Sequence, residues 1–119
     1  GQCLVKSSNP SQDIRQLNDR FRQQLEWPEV PGAVIFSKGI HALPEAQRLC
    51  VVQKLREFEF PDYEAEDSHH RTGHFDVPGI GTVEWFILYY EPLTLSQSQD
   101  PADVTVTFRL LNVRIVGES

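Results

Sequence analysis

The alternation of apolar and polar positions along this 119-residue chain marks out helix, strand, helix and then three strands. Ile14, Leu17, Phe21 and Leu25 recur at helical spacing behind Asn9 and Pro10, an N-cap with proline at the first helical position. Pro28 biases Trp27 away from helical geometry, so this helix should end near Glu26, with Arg15, Arg20 and Arg22 on its outer, solvated face. Ala33 to Ser37 is a short β-branched and aromatic run that reads as a strand ended by Gly39. Pro44 opens a second helix with a broad apolar face of Leu49, Val51, Val52, Leu55 and Phe58, and Pro61 stops it before an acidic loop from Asp62 to Ser68.

Two runs, Gly73 to Pro78 and Thr82 to Glu91, flank Gly79-Ile80-Gly81 and read as a hairpin with a three-residue loop. The expected register opposes Val77 to Val83 and Phe75 to Trp85, which gathers the apolar residues on one face, whereas a one-residue slip would set Phe75 against Glu84. The other face then carries His74, Asp76, Glu84, Phe86, Leu88 and Tyr90. After a polar loop from Thr94 to Ala102, the alternation of Val104, Val106, Phe108 and Leu110 predicts a final long strand, bent near Asn112 where Val113 and Ile115 switch parity. The expected fold is α+β, with two helices on one face of a four-stranded, mainly antiparallel sheet in the order α-β-α-β-β-β. Phe86, Leu88, Tyr90 and Leu111 would then face water on the second face unless a loop, the leader or a partner covers them.

The length and the 39% hydrophobic content suit one core, so residues 9–119 read as a single domain behind a flexible leader over residues 1–8. Lack of any Met, with Gly1 first, suggests a trimmed or tagged start. No apolar run approaches the ~18 residues of a membrane span, which makes a soluble, cytosolic protein the expectation. Cys3 and Cys50 lack CxxC spacing, and Cys50 in its apolar helical setting reads as a buried inert thiol.

Charge changes the picture more than composition does. The net charge is −6, yet residues 1–56 carry eight bases against five acids, while eleven carboxylates between Glu57 and Asp103 face the single base Arg71. Such segregation favours a basic partner and disfavours direct binding to a phosphate backbone. The acids expected to form the partner surface are Glu59, Asp62, Glu64, Glu66, Asp67, Asp76, Glu84 and Glu91.

Candidate chemistry is sparse. His69, His70 and His74 form a histidine cluster in which His70 and His74 could turn toward one metal ion, with Asp76 or Glu84 as a further ligand, but the spacing is unlike the helical HExxH arrangement. Asp76 and Glu84, opposed across the hairpin, could raise one carboxyl pKa and supply a general acid. Gly79-Ile80-Gly81 lacks the third glycine, the helix and the downstream acid of a dinucleotide site, so no cofactor is expected. Tyr89, Tyr90 and Phe86 could imitate a base-stacking platform, but the charge around them has the wrong sign.

Leu17-Asn18-Asp19-Arg20-Phe21-Arg22, the stretch from Gly39 to Pro44, Trp85 followed by Tyr89-Tyr90-Glu91, and Asp100-Pro101-Ala102-Asp103 leading into Thr107, Arg109 and Leu110 carry a resemblance. Across Ile14 to Val116 the chain resembles an uncharacterised family of small bacterial proteins, a domain of unknown function often carried on plasmids and other mobile elements. The resemblance implies no activity. The family pattern places an acid-His-acid-Phe-Gly element before the first hairpin strand and an Asp before the paired tyrosines. This chain has His69-His70-Arg71-Thr72-Gly73 and Leu88 instead, so only His70 and Gly73 fit.

Three functional expectations follow. The first is a noncatalytic module from a mobile element that presents its acids to a basic protein surface, such as a nucleic-acid-binding enzyme, in the manner of antirestriction or anti-CRISPR inhibitors. The second is a homo-oligomer, such as a homodimer, held through Phe86, Leu88 and Tyr90. The third is a metal- or carboxylate-dependent hydrolase using His70, His74, Asp76 and Glu84.

Overall fold

A computed structural model describes residues 10–25, 29–60 and 69–118. The leader, Cys3, Asn9 and the loop acids Asp62, Glu64, Glu66 and Asp67 lie outside the described residues. Helix α1 spans Pro10–Gln23, strand β1 Gly32–Phe36, helix α2 Lys38–His41, helix α3 Glu45–Arg56, and strands β2, β3 and β4 span Thr72–Val77, Gly81–Tyr90 and Phe108–Ile115. The sheet order is β1-β4-β3-β2. The β2–β3 and β3–β4 pairs are antiparallel, whereas β1 joins the edge parallel to β4. The fold is thus α+β with a mixed sheet. The helix-containing connection from β1 to the distant β4 is what permits their parallel pairing.

Strand parity decides which residues meet the helices. Val83, Trp85, Ile87 and Tyr89 of β3 and Leu111 and Val113 of β4 are buried on the inner face, where they join Ile14 and Phe21 of α1 and Val51 and Leu55 of α3 in the core. The alternate residues Phe86, Leu88, Tyr90, Leu110 and Asn112 are half-buried on the outer face. Among the described residues no helix lies over that face.

Several expectations are corrected. The hairpin pairs Phe75 with Val83, Gly73 with Trp85 and Val77 with Gly81, two residues from the expected register. A two-residue shift leaves every side chain on its face, so polarity alone could not tell the two apart. The turn therefore occupies Pro78 to Ile80, closed by the Ile80 N–H donating to the Val77 carbonyl (3.0 Å), with Gly79 at φ 83°. Val104 and Val106 lie in turns before β4, and Arg109, Leu111 and Val113 form its inward row, so Leu111 is in the core and no parity switch is needed. Leu49 is 61% exposed, since α3 buries only the row through Val51 and Leu55. Cys50 is a free, half-buried thiol.

Gly32 shows why α1 can sit close to the sheet. A Cβ there would meet the Phe21 ring at 2.7 Å and collide with the Arg109 backbone oxygen, so only glycine permits this approach.

Candidate functional site

The stripe of α1 that faces the sheet is not uniformly apolar. Asn18 and Arg22, four residues apart, share it with Ile14 and Phe21 and are fully buried, which corrects the solvated position expected for Arg22. Arg22 instead donates to the carbonyls of Leu55 (2.8 Å) and Arg56 (3.3 Å), capping the negative end of α3, and lies within 6 Å of the ring centres of Phe58, Phe60 and Trp85. Asp19 accepts from Arg22 (3.3 Å). Burial lowers the Arg22 pKa, and Asp19 opposes that shift.

Arg109 enters the same layer from β4. It is fully buried, and its Nε donates to the Asn18 amide oxygen (2.6 Å) while Nη2 donates to the Pro101 carbonyl (2.6 Å). Asn18 in turn donates to the Tyr89 hydroxyl (2.8 Å) and to the His69 carbonyl (2.9 Å). The guanidinium also lies 5.2 Å from the Tyr89 ring centre, whereas Nη1 meets no partner among the described residues. Burial brings the Arg109 pKa down to about 10, against a raising influence from Tyr89. Ser98 and Thr107 close the layer through a 2.7 Å hydroxyl contact, and Thr107 donates to the Asp100 carbonyl.

The histidines separate. His70 turns toward α1, with Nδ1 3.0 Å from both Asp19 carboxylate oxygens and its ring stacked 3.8 Å from Phe60. His74 lies on the outer face of β2, paired across the ladder with Glu84. The His70 ring is held by Asp19 of α1 and the His74 ring stands on β2 opposite Glu84, and among the described residues no group of three His, Cys, Asp or Glu could hold a metal ion. The Asp76/Glu84 pair also dissolves. Asp76 sits opposite Thr82, whose hydroxyl donates to it at 2.7 Å, and Glu84 forms an ion pair with Arg114, whose guanidinium lies over Phe86.

The acids divide into groups. Glu59 is exposed just beyond α3, and Asp76 and Glu84 lie near the hairpin-turn end of the outer face. Glu91 follows the opposite end of β3, where it accepts from Thr94 (3.3 Å). A groove of about 560 Å³ lined by Phe58, Phe60, Thr72, His74, Thr82 and Glu84 runs between the first two groups. Phe86, Leu88 and Tyr90 line up along the outer face of β3, as expected from their spacing.

The residues that composition and charge missed are Asn18, Asp19 and Arg109, because a polar residue in a core-facing row reads as a break in the pattern. The signal that reaches them is the set of short stretches carrying the family resemblance. Asn18, Asp19, Arg22, Trp85, Tyr89, Pro101, Thr107 and Arg109 all come from those stretches, and the fold packs them around α1 and the inner face.

A two-layer α+β domain with a polar layer buried between α1 and the sheet is the class these features define. Within it, the family model described as "Protein of unknown function (DUF3768)" matches residues 36–118, and the chain belongs to that family. No curated protein and no solved structure matches it.

Proposed function

We propose that this protein is a noncatalytic binding module whose acidic groove receives a basic side chain from another protein. The carrying observation is the composition of that groove, which combines the aromatic rings of Phe58 and Phe60 with the Glu84 carboxylate, flanked by Glu59 and Asp76. Aromatic faces and carboxylates together favour a desolvated cation. The polar groups on the inner face, by contrast, are engaged with one another: His70 with Asp19, Arg22 with α3, and Arg109 with Asn18. Arg114 already holds Glu84, so an incoming cation must compete with it, which selects for a closely fitted arginine over a loosely solvated lysine. A nucleic-acid-binding enzyme is a natural target, since its phosphate groove is lined with arginines, and the resemblance to proteins carried on mobile elements is consistent with an inhibitor of that kind.

Isothermal titration with a short arginine-rich peptide tests this reading. Saturable binding should weaken severalfold in Glu59→Gln and in Glu84→Gln, and should fall as salt rises from low to physiological ionic strength. Absence of binding, or binding indifferent to salt and to both substitutions, would refute it.

A further inference from the structure

At the far end of β3 from the hairpin turn the sheet edge is interrupted. The β2–β3 ladder runs to the contact between the Ile87 N–H and the Arg71 carbonyl (2.8 Å) and then stops. The edge resumes only where the Ser98 N–H donates to the Tyr89 carbonyl (3.0 Å) and Gln97 bridges Tyr90. What opens the gap is the preceding pair of histidines. His69 and His70 both adopt the left-handed conformation, at φ 56° and 52°, and the His69 carbonyl is drawn to Asn18 while the His70 ring is drawn to Asp19. Two consecutive non-glycine residues in this region cost free energy, and such strain gathers at functional positions.

The gap is a cavity of about 200 Å³ lined by Arg71, Ile87, Leu88, Tyr89, Tyr90 and Gln97. The Ile87 and Tyr89 main-chain groups share one side of β3, as the bonds to Arg71 and Ser98 show, which aims the Ile87 carbonyl and the Tyr89 N–H at the gap. Neither has a partner among the described residues. Arg71, the single base between Glu57 and Asp103, stands at the rim with its guanidinium 5.8 Å from the Tyr89 ring centre. An acceptor, a donor and a cation in that order match the end of an extended peptide. The last N–H would donate to Ile87, one carboxylate oxygen would accept from Tyr89, and the charge would be met by Arg71 with the Gln97 amide close by.

We infer that the break in the sheet edge beside Arg71 is a binding site for the free C-terminal carboxylate of a peptide, added as a one-residue parallel bridge to β3. The site is separate from the acidic groove and takes a ligand of opposite charge.

The test is a titration of ¹⁵N-labelled protein with acetyl-Ala-Ala-Val ending in a free carboxylate, and in parallel with the same tripeptide amidated. The Tyr89 backbone amide and the Arg71 Nε–H should shift saturably with the acid, and the amide should bind about tenfold more weakly or worse. Arg71→Gln should reduce acid binding to the level of the amide, with the rest of the spectrum reporting that the fold is retained. Equal binding of acid and amide would mean that an internal strand is recognised, which overturns the carboxylate assignment. Absence of a shift at Tyr89 with millimolar peptide, or undiminished acid binding in Arg71→Gln, overturns the site.

Discussion

Arg109 is a cation in the interior whose guanidinium donates to two neutral oxygens, those of Asn18 and Pro101. That arrangement works because a guanidinium spreads its charge over a planar fork able to reach both oxygens while lying over the Tyr89 ring. Lysine has the charge but not the fork. Arg109→Lys should therefore leave the Asn18 or the Pro101 oxygen unpaired and lower stability by about 1–3 kcal/mol, read from the urea midpoint at constant slope. Because the Arg109 pKa is lowered to about 10, the folded state carries a cost for the charged form at every pH below that value. That cost is relieved only as pH rises from there toward the ordinary arginine range. At neutral pH that cost is constant, so Arg109 itself should add no pH dependence to the stability of the wild type between pH 6 and pH 8.

Elements were legible in the sequence where one period dominated, and obscure where two readings shared a polarity. The helix through Ile14, Leu17 and Phe21 and the alternating strand through Val83, Trp85 and Ile87 emerge from pattern alone, although the helix ends at Gln23, before Leu25. The hairpin register did not, since a two-residue shift preserves both faces. Strand β4 was misplaced because Arg109 interrupts its inward row and Val104 and Val106 imitate an extension of it. The outer-face row of Phe86, Leu88 and Tyr90 was legible, whereas the polar layer beneath α1 depends on partners as much as 91 residues away. The short helix α2 escaped notice for a related reason, since a distant carboxylate supports its start. Glu118 accepts from the Ile115 N–H (2.7 Å), the Ser37 hydroxyl (2.8 Å) and the Gly39 N–H (3.1 Å). These bonds, Ile115 foremost, hold the Glu118 pKa below its ordinary 4.5. A carboxyl held low stabilises the fold above its unfolded value and loses that contribution as pH falls through its folded value. The wild type should thus lose thermal stability more steeply than Glu118→Gln on acidification from pH 5 to pH 3, with the two curves parallel above pH 6.

At the scale of the whole molecule, the two sides of the sheet are unlike. The inner side carries the helices and the buried polar layer, and the outer side leaves Phe86, Leu88 and Tyr90 half-buried beside Glu84 and Arg114. A surface of that kind suits a second copy of the chain as well as a foreign partner. If copies associate there, Leu88→Glu should convert a dimer to a monomer by light scattering without altering the far-ultraviolet spectrum. A wild type already monomeric at high concentration would remove the idea. Among the described residues no helix is long and apolar enough to cross a membrane.

The contact between Asn18 and Arg109 also sets a timetable. A ribosome makes α1 and β1 early, yet the strand that β1 pairs with and the arginine that Asn18 receives arrive 91 residues after Asn18. Closing so long a loop precedes any reward from the contact, which places this step late and makes it slow. Until β4 emerges, the nascent chain holds Phe21 and the future inner sheet face open to water, and in that interval its apolar surface is most exposed to aggregation.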